Sequence, residues 1–158
     1  MWTGSRSAWI EAGVDVDFPP DIGIIIESPG FLPQLPGLKN LEILAGLKRK
    51  IGLREVADTI RQVGLEPLSP KPVGKYSLGM RQRLGIAQAI MERPSLLILD
   101  EPMNGLDKYG VAEMRALFRS LATDGRTILL ASHNIQDIEE LCDTVCEMDA
   151  GVMTMVKA

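Results

Sequence analysis

Three short apolar runs constrain the fold of this chain more than any other feature of its sequence. The runs are "IGIII" (22–26), "SLLIL" (95–99) and "TILLA" (127–131), and apolar residues at helical spacing lie between them. Strands that are apolar on both faces and alternate with helices are typical of a parallel sheet with helices packed against it. The sequence therefore predicts an α/β fold in which the three runs are buried parallel strands.

Five helices and a terminal pair of strands complete this prediction. Apolar periodicity and the positions of the prolines place the helices at 38–47, 54–63, 78–91, 108–122 and 134–142. "GLEPLSPKPVGK" (64–75) is predicted to be a long loop, and the tail to form two short strands around Asp149-Ala150-Gly151. Residues 1–20 show no clear period, and we interpret them as an irregular segment outside the domain that follows.

Composition restricts the class of protein. The 158 residues suit one domain, and the apolar fraction of 46% and charged fraction of 24% are ordinary for a globular protein. A net charge of −4 gives no general attraction to nucleic acid, so no nucleic-acid partner is expected. The apolar runs are far shorter than the roughly 20 residues that span a bilayer, and the first residues show no export signal. Cys142 and Cys146 are interpreted as reduced thiols.

The three apolar runs end in residues that can carry chemistry. Glu27 follows the first run, Asp100 and Glu101 follow the second, and Ser132-His133 follows the third. Ligands of open parallel sheets bind outside the carboxyl ends of the strands. The sequence therefore predicts a site where a metal ion and a proton-transfer group meet.

Asp100 and Glu101 are predicted to divide two roles. Neighbours on an extended chain point to opposite sides, so one carboxylate can hold Mg²⁺ while the other orients or deprotonates a water. The alternative is a pair of solvated acids where a strand meets a loop, and the apolar run before them weighs against it. His133 is the only histidine, and a lone histidine at a strand end is more often structural than functional.

The segment "YSLGMRQRLGIAQAI" (76–90) offers a place for phosphate. Ser77 precedes the predicted helix and can cap it, and free N–H groups at a helix start also bind phosphate oxygens. Gly79 in the first turn allows close approach of another backbone. An ordinary capped helix remains the alternative.

Together, "YSLGMRQRLGIAQAI", "LLILDEPMNGLD" and "LLASHN" resemble the nucleotide-binding domain of ABC transporters. They match the signature motif, the Walker B strand with its D-loop, and the H-loop, in the family's order. Residues 24–47 are further similar to the Q-loop region of ATPases from bacitracin- and lantibiotic-type peptide exporters. The resemblance covers residues 21–158 and implies part of a P-loop NTPase core, with a helical subdomain at about 38–92.

The resemblance implies a role for each candidate residue in binding and hydrolysing ATP with Mg²⁺. Asp100 would help hold Mg²⁺, Glu101 would be the catalytic carboxylate that polarises water, and His133 would contact the γ-phosphate. Asp107 would lie in the D-loop, which couples two protomers. Glu27 would occupy the Q-loop position, where the family usually has glutamine and the peptide-exporter branch also has glutamate.

The resemblance also implies the partners and the location. Ser77 and Gly79 would bind the γ-phosphate of ATP held by a second ATPase protomer, in a homodimer or a heterodimer. The helical subdomain would meet a transmembrane permease, which places the assembled protein in the cytoplasm on the inner face of the cell membrane. Leu78 and Met80 stand where the signature commonly has glycine and glutamine, and the serine and one glycine are kept.

The phosphate-binding loop, G-x-x-x-x-G-K-[ST], is absent from the 158 residues. Their only Gly-Lys pair, Gly74-Lys75, is followed by Tyr76. The resemblance places the strand of that loop beside 127–131, which is therefore expected to keep a bare apolar edge.

Three functions remain open from the sequence. The first is the ATPase subunit of a peptide or antibiotic exporter. The second is a non-catalytic chain that pairs with a full ATPase subunit and contributes only the signature motif. The third is a DNA-repair or chromosome-organising ATPase, against which the acidic balance and the lack of coiled-coil heptads both count.

Overall fold

A three-stranded parallel sheet forms the centre of the computed structural model, which describes residues 21–26 and 30–157. Its strands are β1 (Ile22–Ile25), β2 (Leu96–Asp100) and β3 (Thr127–Ala131), and they lie in that order across the sheet. Both pairings of β2 are parallel. The predicted α/β fold with a parallel sheet is therefore confirmed.

Five α-helices connect and cover these strands within the described ranges. They are α1 (Gly37–Lys48), α2 (Leu53–Gln62), α3 (Leu78–Ile90), α4 (Lys108–Thr123) and α5 (Ile135–Leu141). Each agrees with a predicted helix to within one residue at both ends. The predicted loop before α3 also contains one short 3-10 turn, Val73–Lys75. None of the helices in the described part of the chain is long and apolar enough to cross a bilayer.

Side chains of the expected type begin three of the helices. Ser77 caps α3, Asp107 caps α4 and Asn134 caps α5, each by accepting a hydrogen bond from a main-chain N–H in the first turn. Asp21 performs a similar task for the sheet, since its carboxylate accepts the Ser95 N–H at 2.9 Å just before β2. This hydrogen bond is the main cause of a lowered pKa at Asp21.

Helix α3 lies directly against β1 because of one glycine. A Cβ on Gly23 would stand 2.1 Å from the carbonyl oxygen of Ala89, near the end of α3. The helix therefore ends over the start of β1, and its beginning, about 18 Å away at 1.5 Å per residue, reaches the carboxyl edge of the sheet. Buried side chains of β1 and β2, namely Ile25, Leu97 and Leu99, join the same apolar core.

The strand β3 differs from its prediction in burial. Ile128 and Leu130 pack against the core, whereas Thr127 and Ala131 are exposed and Leu129 is 60% exposed. Among the described residues β3 pairs only with β2, and its contacts with helix α4 are few. The strand was predicted correctly, but the prediction that it is completely buried was wrong. An apolar sequence does not reveal which element, if any, covers each face of a strand.

The tail forms an antiparallel hairpin of β4 (Val145–Asp149) and β5 (Val152–Lys157). Ala150 and Gly151 join them with φ angles of 47° and 81°, as a two-residue type I′ turn requires. The two predicted terminal strands are therefore confirmed. Their side chains are mostly exposed, and the two cysteines are free thiols as predicted.

Two predictions lie outside the described residues. These are the irregular segment at 1–20 and the position of Glu27 beyond β1. Both remain expectations from the sequence.

Candidate functional site

The carboxyl ends of β2 and β3 bring the predicted acids and histidine to one edge of the sheet. Asp100 and Ala131 are register partners at the ends of the two strands. The ladder continues one step further, since the Glu101 N–H donates to the Ala131 carbonyl at 2.9 Å. Glu101 therefore lies beside the segment that carries His133.

Glu101 and His133 are in direct contact. One carboxylate oxygen, Oε1, accepts the His133 main-chain N–H at 2.8 Å and lies 2.6 Å from His133 Nδ1. An ionised carboxylate can only accept, so Nδ1 carries the hydrogen and Nε2 is the ring nitrogen available to a ligand. The histidine side chain is 79% exposed, so its ring is accessible to a ligand.

The backbone is left-handed at Glu101, immediately after Asp100. Glu101 has a φ of 46°, and its carbonyl accepts the Asn104 N–H at 3.1 Å to close a turn. A non-glycine residue in this conformation costs about 1–2 kcal/mol, so surrounding contacts must hold it. The sequence-based expectation of an extended chain is therefore wrong at Glu101, because the chain bends immediately after β2.

Asp100 is suited to holding a cation. It is half-buried at the end of β2, and no basic side chain of the described residues lies within ion-pair distance of its carboxylate. The described part of the chain contains no group of three metal-ligating side chains. Mg²⁺ in phosphate-handling sites commonly uses one or two carboxylates and takes its other ligands from phosphate and water. Asp100 fits that mode of binding.

The start of α3 packs against the turn that follows Glu101. The Ser77 hydroxyl accepts the Met80 N–H at 3.2 Å, as a helix cap does. A Cβ on Gly79 would stand 2.8 Å from the Gly105 carbonyl oxygen, and one on Gly105 would stand 2.4 Å from Leu78 Cγ. Gly105 also has a φ of 76°. Glycine is needed at both positions, and the start of α3 is thereby held beside the acidic strand end.

Gln82 makes a second link between α3 and the same turn, which sequence reasoning missed. Its side chain is buried, and Nε2 donates to the Pro102 carbonyl at 3.1 Å and to the Glu101 carbonyl at 3.3 Å. A signal was present in the sequence, because Gln82 stands three residues after Gly79 and therefore on the same helix face.

Asp107 serves as the cap of α4 in the structure. Its Oδ1 accepts the Gly110 N–H at 2.7 Å. The residue thus fixes the start of α4 at the end of the turn that carries Glu101. Its predicted role between two protomers is not tested by a single chain.

Helix α5, which begins shortly after His133, is anchored on α4 by a buried ion pair. Arg115 donates from Nε and Nη2 to Asp137 Oδ1 at 2.8 and 2.5 Å, and from Nη1 to Glu140 at 2.9 Å. The Gln136 amide is the main cause of a lowered pKa at Glu140, to which the neighbouring arginines also contribute. The position of the histidine segment therefore depends on α4.

A parallel sheet whose carboxyl edge carries two acids and an imidazole, beside the capped start of a helix, defines an α/β protein with a ligand site at its strand ends. The family described as "ABC transporter" matches residues 12–104 of the sequence. This chain belongs to that family.

Two relatives show how much of a family member the chain represents. The bacitracin transport ATP-binding protein BcrA of Enterococcus faecalis is 46% identical over 131 residues, which are 82% of this chain and 42% of BcrA. The lantibiotic transport ATP-binding protein SrtF of Streptococcus pyogenes is 39% identical over 138 residues, 86% of this chain and 59% of SrtF. The chain therefore spans about half the length of these relatives.

A solved structure shares the fold. The dimeric structure of MJ0796, described as a bacterial ABC transporter cassette, matches with a TM-score of 0.76 over 87% of this chain and 64% of that chain. The sequence identity of 19% limits this similarity to the fold.

Proposed function

We propose that this chain supplies catalytic residues for ATP hydrolysis in an exporter of peptide antibiotics or similar toxic compounds. The observation that carries the proposal is the contact between Glu101 and His133 at the carboxyl edge of the sheet, next to Asp100 at the end of β2. The names of the relatives support the cargo class, since BcrA is named for bacitracin transport and SrtF for lantibiotic transport.

The proposed chemistry is phosphoryl transfer from ATP to water. Bound Mg²⁺–ATP supplies the phosphoryl group and an ion that neutralises charge developing on it. Asp100 holds the ion, and Glu101 orients the attacking water and accepts its proton. His133, which the same carboxylate orients through Nδ1, contacts a phosphate oxygen through Nε2.

The start of α3 is proposed to act on ATP held by a second ATPase protomer. Ser77, which caps α3, and the N–H groups that follow it would contact phosphate oxygens, and the helix dipole would favour negative charge there. Gly79 keeps this helix start close to the turn after Glu101. Asp107 follows that turn and would couple the two protomers.

The proposed ATP site is composite. No phosphate-binding loop occurs in the 158 residues, so the loop would come from polypeptide outside them or from a partner protomer. The helical subdomain at about 38–92, with Glu27, is proposed to meet the permease at the inner face of the membrane. Exposed apolar side chains on α1 and at the start of α2, namely Ile43, Leu47 and Leu53, support such a contact.

The test uses the complex recovered from native membranes with a tagged copy of this chain. Glu101→Gln is expected to lower the ATPase kcat by roughly 10²–10⁴-fold while Mg²⁺–ATP binding is retained, because the acceptor of the water proton is lost. Asp100→Asn is expected to weaken ATP binding only when Mg²⁺ is present. Glu139→Gln, an exposed acid on the neighbouring helix α5, is the matched control and should leave both unchanged. A Glu101→Gln complex with an unchanged kcat would refute the proposal.

A non-catalytic partner is the second candidate, and the missing phosphate-binding loop favours it. In that case Ser77→Ala would lower the ATPase rate of the complex, whereas Glu101→Gln would not. Calorimetry of the purified chain with millimolar Mg²⁺–ATP adds a direct comparison. Clear binding would show that this chain or its homodimer forms a phosphate cradle, and it would remove the basis for the second candidate.

A further inference from the structure

We propose that Gln82 is a positioning residue that couples helix α3 to the Glu101 carboxylate. The inference rests on the proposed function, in which Glu101 acts on water and the start of α3 contacts phosphate. It assigns to Gln82 the task of holding the left-handed backbone of Glu101 and, through it, the contact with His133.

Glu101 is held from three directions. Its N–H donates to Ala131 on β3, its carboxylate accepts from His133, and its carbonyl accepts from Gln82 on α3. The first two contacts fix the residue to the β3 side of the site. The third contact is the one that ties it to the helix bearing the signature segment.

The next residue in the turn depends on the same amide. Pro102 is buried, and its carbonyl accepts the shorter of the two Gln82 hydrogen bonds, at 3.1 Å. A primary amide has two N–H groups, so one Gln82 side chain can serve both carbonyls. Leucine of similar size has no hydrogen-bond donor. An ionised glutamate would place carboxylate oxygens, which only accept hydrogen bonds, against the two carbonyl oxygens. The site therefore selects for an amide of this length.

Helix α3 and the turn are also in rigid contact one helical turn earlier. Gly79 lies against the Gly105 carbonyl, and Leu78 lies over Gly105. Two successive turns of α3 thus hold both ends of the segment 101–105. A shift of the helix start on phosphate binding would therefore move the Glu101 backbone through Gln82.

The single histidine of the chain provides a direct readout. The ring ¹³C and ¹⁵N NMR signals of His133 report its hydrogen bond to Glu101, and no other histidine overlaps them. Glu101→Gln gives the reference spectrum with the contact altered. We expect Gln82→Leu to move the His133 signals toward that reference, although Gln82 does not touch the histidine.

Asn40→Leu is the matched control. Asn40 is also a buried amide on a helix, and it donates to the carbonyls of Leu32, Leu35 and Pro36, far from the site in sequence. Its loss should destabilise the chain in a similar way and leave the His133 signals in place. A merely structural role of Gln82 would therefore give the same result for both variants.

The outcomes separate this inference from the proposed function. Unchanged His133 signals in a folded Gln82→Leu chain would overturn the coupling, and the ATPase test of Glu101 would stand untouched. If the variant does not fold, the hydrogen-exchange rate of the side-chain amide of Gln82 in the wild-type chain tests the inference instead. Exchange as fast as that of the exposed Gln62 amide overturns the inference, and slower exchange supports it. In the complex, we expect Gln82→Leu to lower kcat about 10-fold with KM for ATP unchanged, as misplacement of a catalytic group does.

Discussion

Replacement of Arg115 should destabilise the packing of α5 on α4, which supports the segment that carries His133. Arg115 and Asp137 are 7% and 1% exposed, and two hydrogen bonds join them between α4 and α5. Arg115→Met leaves a carboxylate buried without its partner, which costs about 3–5 kcal/mol. Domains of this size are stable by only about 5–15 kcal/mol, so the loss is a large part of the total.

The double variant Arg115→Met/Asp137→Leu separates ion pairing from packing. Apolar residues of similar volume commonly replace a buried ion pair without loss, so the double variant should recover about 3 kcal/mol or more. Arg54→Met is the control, since Arg54 is 92% exposed and lies 4.0 Å from Asp58, and it should change stability by less than about 1 kcal/mol.

Urea unfolding followed by circular dichroism at 10 °C measures these differences. A variant that is unfolded without urea is compared through its refolding in trimethylamine N-oxide, which strengthens apolar burial. A loss below about 1 kcal/mol for Arg115→Met would contradict this prediction, because the buried acid would then need no partner. A double variant no more stable than the single one would refute it equally.

Three further predictions concern the backbone, the pH response and the sheet edge. Gly79→Ala should lower the free energy of unfolding, measured in urea, by about 1–3 kcal/mol, because its Cβ would stand 2.8 Å from the Gly105 carbonyl oxygen. Gly46→Ala, which has open space around it, should raise the free energy of unfolding by about 0.5–1 kcal/mol. Equal effects of the two substitutions would contradict this prediction. The Ser95 N–H, just before β2, lowers the pKa of Asp21. The ionised Asp21 carboxylate therefore contributes its full stabilisation of the fold above the usual pKa near 3.8, and this stabilisation is lost as the pH falls through the lower pKa of the folded state. In urea titrations, Asp21→Asn should therefore lower the free energy of unfolding by less than about 1 kcal/mol at pH 6 and leave it unchanged at strongly acid pH. An equal difference at both pH values would count against the hydrogen bond. The isolated chain should melt below the roughly 45–65 °C of mesophilic domains and associate through β3, and Leu129→Lys should raise the monomer fraction in sedimentation. A cooperative transition within that range for the wild-type monomer would contradict the last prediction.

Part of the site could be predicted because parallel strands end at the same edge. Asp100, Glu101 and His133 each lie at the end of an apolar run or shortly after it, so a parallel sheet brings them to one edge, and the pairing of β2 with β3 brings them together. Their exact relations could not be predicted. The bend at Glu101, which is held from both α3 and β3, involves residues far apart in sequence, and no local pattern indicates a left-handed glutamate.

Local sequence signals account for the type, order and approximate ends of the helices and strands. These depend on local periodicity, on caps such as Ser77 and on the turn at Ala150-Gly151, all of which act over a few residues. By contrast, the exposure of Leu129 and the hydrogen bond from Gln82 to the turn after β2 follow from tertiary packing. Burial and long-range hydrogen bonds depend on which elements meet, and that is set by the packing of the whole core rather than by any one segment.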